Sequence, residues 1–312
     1  MPYIGRFAPS PTGPLHAGSL VAALASFLDA RAHGGTWLLR IEDIDAPRVR
    51  RGAVEAIVDT LWRLGMRPDG DISFQSRRLA RYESAFDRLR AAGLVYPCGC
   101  TRAELADSRV NWHGAGASEG CDLVYPGTCR SGLPAGRSAR SWRVRVDSSP
   151  IDWVDRNGSV HSDQLEATLG DFVVHRADGM WAYQLAVVVD DAEQRISDVV
   201  RGCDLESSTS RQIRLQRLLG FPTPHYLHIP VVLTPEGQKL SKQTGAAAID
   251  PYRPLDALNA AMIHLGLEAV QTDSLETFWP TATERWARSR WMNVAVPPPA
   301  APSPRLPANS LR

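Results

Sequence analysis

Two short segments of this chain, more than two hundred residues apart, carry the residue types that anion chemistry needs. The first runs Arg6-Phe-Ala-Pro-Ser-Pro-Thr-Gly-Pro-Leu-His-Ala-Gly-Ser19. A strand, a Pro- and Gly-rich turn and a helix opening at His16-Ala-Gly-Ser19 present backbone N–H groups to an anion. Gly18 lets the backbone approach a phosphate where a side chain would block it. The second segment is Lys239-Leu-Ser-Lys-Gln243. Its two ammonium groups are the cations that phosphoryl or nucleotidyl transfer calls for. Either segment alone fits a plain turn or a basic surface loop, but in this order the pair points to phosphate chemistry. Lys239 and Lys242 are the only lysines among 35 basic residues, so their meeting in one pentapeptide is not the by-product of a lysine-rich surface.

A second chemistry is written in sulfur. Cys98-Gly-Cys100 is followed by Tyr125-Pro-Gly-Thr-Cys129, within a stretch rich in Gly, Cys, Ser and Asp that has no sustained periodicity. In a cytoplasmic setting three such cysteines read as metal ligands rather than disulfides, and tetrahedral zinc accepts sulfur. A fourth ligand is available from Tyr125, Cys121 or His113, and ligand chemistry alone prefers thiolate or imidazole. Cys203 reads as an inert buried thiol.

The elements that must hold these groups follow from periodicity. Residues 3–8 read as a short buried strand, Leu20–Ala32 as a helix stopped by Gly34-Gly35, and Trp37–Ile41 as a second strand, a β-α-β start. Ala53–Leu64 and Arg81–Ala92 read as amphipathic helices closed by Gly65 and Gly93. Alternating apolar residues mark Ser141–Val146 and Trp181–Val189. Thr209–Leu219 and Asp256–Leu265 read as helices, and from Val296 the Pro/Ala-rich tail reads as disordered.

Bulk properties set bounds. A composition of 44% hydrophobic and 22% charged residues is that of a soluble protein with a sizeable core. No apolar run approaches the roughly eighteen residues of a membrane span, and no leader pattern is present, so the expected location is the cytoplasm. A net charge of +1 excludes a uniformly basic coat but not a local basic face.

The two opening segments resemble the HIGH and KMSKS signatures of class I aminoacyl-tRNA synthetases. RFAPSPTGPLHAGS followed by Leu39-Arg-Ile-Glu-Asp-Ile-Asp45 resembles specifically the glutamyl branch, in which the fourth HIGH position is small, as Ser19 is. The resemblance covers residues 3–245. It implies that His16 and Lys242 are catalytic, stabilising charge at the α-phosphate of ATP and on the leaving pyrophosphate; for His16 the alternative is a plain helix cap. Gly18, Ser19, Lys239 and Ser241 would complete the site for ATP with its Mg2+. No general base is needed, because the attacking carboxylate is already ionised near neutral pH.

The resemblance further implies a glutamate pocket of Arg6, Phe7, Ala8, Pro9, Ser10, Glu42, Tyr183 and Arg201. Arginine suits carboxylates through its bidentate fork, Glu42 suits the ammonium, and Tyr183 adds a hydroxyl donor. In Arg40-Ile-Glu42 the third residue is Glu, where the resemblance implies Asp for glutaminyl enzymes. The retained spacing from Tyr125 to Cys129 favours Tyr125 as fourth zinc ligand, giving one Zn2+ on Cys98, Cys100, Tyr125 and Cys129.

Little chain follows Gln243, less than an anticodon-reading domain needs. That shortness resembles a truncated branch of the family, whose members place glutamate on the queuosine base in the anticodon of tRNA(Asp). Arg102, Arg130 and Trp112 are candidate contacts for such a loop. The alternatives are a minimal glutamyl-tRNA synthetase charging a tRNA 3′ end and a non-catalytic synthetase-like module; intact His16, Gly18, Lys239 and Lys242 speak against the latter. The expected architecture is an α/β Rossmann-type catalytic domain in two halves (1–95 and 181–245). An inserted zinc-bearing, acceptor-binding subdomain (96–180) separates them, and a helical region (246–295) and a tail (296–312) follow. No obligate protein partner is expected.

Overall fold

A computed structural model describes residues 2–101, 103–105, 124–133, 135–233, 240 and 247–292. Lys239, Ser241, Lys242, Arg102, Trp112, His113, Cys121 and the tail at 296–312 lie outside the described residues.

The chain opens with β1 (Ile4–Phe7), α1 (Ala17–Ala32) and β2 (Thr36–Ile41). The strands pair in parallel, with Ile4 opposite Thr36 and Phe7 opposite Leu39. α1 has no exposed residue along its length, as befits a run apolar on every face. It ends where Gly35 N–H reaches back to the Ala30 carbonyl at 2.8 Å. A Cβ on Gly35 would lie 2.7 Å from the Tyr3 backbone oxygen, so only glycine fits the close approach of the turn to β1. α2 (Ala53–Arg63) follows, then β3 (Ser73–Phe74), which joins β2 in parallel, and α3 (Leu79–Ala91).

The middle of the chain is antiparallel. β4 (Val95–Cys98), β5 (Ser141–Val144) and β8 (Phe172–His175) form one sheet in the order β4-β5-β8. β6 (Ile151–Val154) and β7 (Val160–Asp163) form a hairpin, followed by the short turn of helix α4 (Leu165–Thr168).

Trp181–Val189 is not the strand its alternation promises. Trp181 bridges to His175 and Ala182 N–H donates to Val174, but the chain then enters α5 (Tyr183–Glu193). Residues 184–191 are all buried, so packing on every side overrides the β preference of three consecutive valines. β9 (Asp198–Gly202), α6 (Thr209–Leu219) and β10 (His225–Ile229) complete a second parallel pair. Ser197 N–H donates to the Ile4 carbonyl at 2.9 Å, which sets β9 beside β1. The strands therefore lie in the spatial order β3-β2-β1-β9-β10.

Two helices close the described chain, α7 (Pro254–His264) and α8 (Leu275–Ala287). Leu258, Met262, Phe278 and Trp286 join the core around α1. A second core unites α3, β5, β8, α5 and α6, and a small third one surrounds the cysteines. One buried carboxylate ties remote parts together. Asp29 of α1 accepts from Tyr3 Oη, from both Nη atoms of Arg156 (2.6 and 2.9 Å) and from Trp286 Nε1 (3.0 Å). The α/β architecture is as expected from the sequence.

Candidate active site

Where β1 and β9 end and α1 begins, the protein opens a cavity of 440 Å³. Its lining includes Arg6, Phe7, Ala8, Pro9 and Ser10 from the end of β1, and His16, Gly18 and Ser19 from the start of α1. Tyr183 from α5 and Arg201 from β9 face the same space. Leu240, the one described residue of the lysine-bearing segment, lines it too. Sequence-remote groups thus converge on one site.

His16 is the N-cap of α1. Its Nδ1 accepts from Ser19 N–H at 3.3 Å, while Ser19 Oγ accepts from His16 N–H at 2.8 Å, a reciprocal capping box. Capping and a catalytic role are therefore compatible: with Nδ1 accepting, the neutral ring carries its proton on Nε2, a donor. A Cβ on Gly18 would crowd the His16 ring at 3.2 Å and the Leu240 carbonyl at 3.4 Å. Glycine lets the helix start and the second loop approach each other. Ala248, just past that loop, pairs with His16 through an isolated bridge, and Ile249 N–H reaches Leu15 at 2.9 Å.

The two arginines are held differently. Arg6 donates from Nε to Asp191 at 3.3 Å. Arg201 donates from Nε to His228 Nε2 (3.0 Å), from one Nη to Gln212 (2.8 Å) and from the other to Thr209 (2.8 Å). Its guanidinium also sits 5.1 Å from the Tyr226 ring centroid.

Glu42 does not line the cavity. It is buried behind the wall, with its N–H on the Pro9 carbonyl at 3.0 Å and Oε1 accepting from Arg40 at 3.4 Å. Arg40, fully buried, is shared with Asp191 (2.7 Å) and Asp190 (3.6 Å). Asp190 is further held by Gln75, Arg78 and Tyr82. Burial pushes the Glu42 carboxyl up to about 7, because an arginine divided among three carboxylates offsets only part of that cost. Asp191 moves the other way: burial opposes its ionisation, but Arg6 and Arg40 outweigh it and hold it below the usual carboxylate range. Burial likewise raises the Tyr183 hydroxyl.

The cysteine cluster forms as the spacing implies. The Sγ atoms of Cys98, Cys100 and Cys129 lie within 4.8 Å of one another, with Cys100 and Cys129 3.7 Å apart. Tyr125 Oη is 3.5 Å from Cys98 Sγ and accepts from Cys129 N–H at 2.9 Å. A tetrahedral ion with metal–sulfur bonds of about 2.3 Å needs sulfurs about 3.8 Å apart, so the three cysteines could hold a metal. Burial opposes ionisation of Cys98, but hydrogen bonds from Tyr125, the Cys100 backbone and Arg143 outweigh it and bring the thiol down to about 7. Burial and the neighbouring sulfurs push Cys100 up to about 12.

One sequence expectation needs correction. Cys203 is exposed, not buried; it starts the 3-10 turn Cys203–Ser208, where the chain leaves β9. Arg130 is partly exposed and engaged by Glu166 (3.4 Å) and Asp171 (3.5 Å). Sequence reasoning also missed Asp191, Arg40, Gln212, Thr209, His228 and Asp155. The acidic pair Asp190-Asp191 inside an apolar run was the available signal for the first two.

Comparison with known proteins agrees with this geometry. A family model described as "tRNA synthetases class I (E and Q), catalytic domain" matches residues 4–282. A curated relative from Janthinobacterium sp. (strain Marseille), named "Glutamyl-Q tRNA(Asp) synthetase", is 56% identical over 92% of this chain and 97% of its own. Relatives of the same name from Burkholderia cenocepacia and Bordetella bronchiseptica are 57% and 54% identical, covering 92% and 95% of this chain and 96% and 92% of their own. Among solved structures, a glutamate tRNA ligase from Elizabethkingia meningosepticum in complex with its amino acid is 30% identical with a TM-score of 0.67. That match takes in 78% of this chain but 53% of the ligase, so the chain spans about half the length of that enzyme.

Proposed function

The chain belongs to the glutamyl and glutaminyl family of class I tRNA synthetases and is a ligase of that type, and from that premise we propose that it activates L-glutamate with ATP and transfers it to the queuosine base in the anticodon of tRNA(Asp). The observation that carries the acceptor is the agreement of relatives at 54–57% identity over nearly their whole length, each named for that reaction. The first step is supported by the convergence of Arg6, Tyr183 and Arg201 with the start of α1 in one cavity.

In that step a glutamate α-carboxylate oxygen attacks the α-phosphorus of Mg2+-bound ATP. The bond to pyrophosphate breaks and glutamyl-adenylate forms. Gly18, Ser19 and the α1 N-terminus favour the phosphates, His16 donates from Nε2, and Lys239, Ser241 and Lys242 supply the charge and loop from the other side. Arg6 and Arg201 take carboxylates, Glu42 attracts the ammonium by its charge from behind the wall, and Phe7 to Ser10 and Tyr183 make the remaining contacts. A queuosine cyclopentenediol hydroxyl then attacks the acyl carbon, the bond to AMP breaks and the hydroxyl proton passes to solvent. Catalysis is orientation and electrostatics.

The reading assigns Zn2+ to Cys98, Cys100, Cys129 and Tyr125, which would hold it within the insert; the sulfur spacing supports a metal there. It divides the chain into catalytic halves (1–95 and 181–245), the acceptor-binding insert (96–180) and the helical region (246–295), and places the protein in the cytoplasm. No helix among the described residues is long and apolar enough to cross a membrane.

The test is transfer of labelled glutamate to tRNA(Asp) from cells that make queuosine and from cells that do not. Label is expected only on the first. Equal labelling of both, or labelling of tRNA(Glu), would mean a minimal synthetase charging a 3′ end instead.

A further inference from the structure

The two cavity arginines differ in where their charge is balanced. Arg6 has a carboxylate on its own Nε. Arg201, only 4% exposed, donates to an imidazole nitrogen, an amide oxygen and a hydroxyl, all uncharged. A guanidinium buried without a counter-charge is costly. The missing charge lies one residue further back. Asp155, fully buried, accepts from His228 Nδ1, from His228 N–H at 3.2 Å and from Asn157 N–H at 2.8 Å.

The imidazole between them has one allowed state. Arg201 can only donate, so His228 Nε2 must accept, and the ring proton must sit on Nδ1 against Asp155. Protonating Nε2 would set N–H against N–H. His228 is 2% exposed, and burial holds it below the usual imidazole value although the Asp155 hydrogen bond works the other way. Tyr226 stacks nearly parallel to the His228 ring, and Trp153 meets it edge-on.

A carboxylate in direct contact with Arg201 would compete with a ligand for the same N–H groups. Placed behind an imidazole, it fixes the fork and leaves the second hydrogen of each Nη for the cavity. We propose that Asp155 and His228 are positioning residues for carboxylate recognition, with Asp155 setting the His228 tautomer, His228 setting Arg201, and a carboxylate of the amino-acid substrate supplying the directly bonded counter-charge that Arg201 lacks among the described residues. The proposal rests on the amino-acid activation reading above.

The test uses the full chain in glutamate-dependent exchange of pyrophosphate into ATP, with KM for glutamate and KM for ATP read separately. In His228→Gln the side-chain carbonyl reaches the place of Nε2 and accepts from Arg201. In His228→Asn it reaches only the place of Nδ1. The Asn variant is expected to raise the glutamate KM about ten- to a hundredfold, the size of a lost hydrogen bond to a charged group. Its ATP KM should stay within about twofold, and the Gln variant should recover most of the loss. Equal glutamate KM values in the two variants, or a matched rise in both KM values for Asn, overturns the proposal. Loss of folded protein in both variants alike, read by circular dichroism, makes His228 structural and overturns it too. Absence of exchange in the unmodified chain would instead remove the amino-acid activation reading.

Discussion

Replacing Glu42 by Gln tests the pocket at its most unusual group. The carboxyl is buried and pushed up to about 7, so in the empty site it is protonated below that value and ionised above it. An incoming ammonium is attracted by the ionised form through the wall. The apparent glutamate KM should then scale as one plus the protonated-to-ionised ratio, about elevenfold above its plateau at pH 6, about twofold at pH 7 and flat by pH 8. Glutamate keeps its own charges across this range, and saturating ATP removes the nucleotide from the measurement. In Glu42→Gln the pH dependence should vanish and the plateau KM rise about tenfold, the size of a charge–charge attraction acting through the cavity wall. The same residue acts oppositely on stability. A folded-state value above the unfolded one favours folding fully below about 4.5 and loses that contribution as pH rises to about 7. At pH 8 the Gln variant should therefore unfold at higher urea than the parent, by something on the order of 3 kcal/mol. Exchange kinetics from pH 6 to 8.5 decide the matter. A glutamate KM independent of pH in the parent, or the same profile in the Gln variant, would refute the reasoning.

Lys242→Ala should lower tRNA-free pyrophosphate exchange about a hundredfold, the cost of one transition-state donor; normal exchange would remove Lys242 from the mechanism. Cys100→Ser should lose the metal and melt at lower temperature, because the small core around the cysteines holds little else. Cys121→Ser should keep one zinc per chain by elemental analysis, and a Cys121→Ser protein without metal, beside a metal-bearing Tyr125→Phe, would reassign the fourth ligand. Asp29→Asn should cost about 3–5 kcal/mol in denaturant titration, because it leaves Arg156 buried with its main partner gone. A loss below about 1 kcal/mol would show that Asp198, 3.3 Å from Arg156, compensates.

What could be read from the sequence was what the chain encodes locally. His16 to Ser19 is a cap, a glycine and a helix start within four residues, and the paired cysteines of Cys98-Gly-Cys100 carry their own signal, although β5 and the chain at Leu169 help to bring Cys129 to them. The alternation at Trp181–Val189 misled because burial on every side erases the difference between a helix and a strand in an apolar run. Cys203 misled because it stands two residues past buried Arg201, yet it begins the 3-10 turn that leaves β9. Glu42 was recognised as a charge for the pocket. Its place behind the wall depends on Asp190 and Asp191, some 150 residues away, and no local pattern encodes that. The route from Asp155 through His228 to Arg201 is likewise a product of the β9–β10 pairing and the bridge from Asp155 to Tyr226.

The burial of α1 has a consequence for how the protein breathes. Amide hydrogens in a helix with no exposed residue exchange with water only when the surrounding layers come apart, so α1 belongs to the most slowly exchanging unit of the fold. Ligand sites are commonly drawn from the least stable parts of a protein, yet here the N–H groups that open onto the cavity sit at the end of a buried helix. Deuterium uptake along α1 beyond its first turn would therefore follow global unfolding with or without nucleotide, whereas ligand-dependent protection would register on that first turn and on segments that meet the cavity from outside the core.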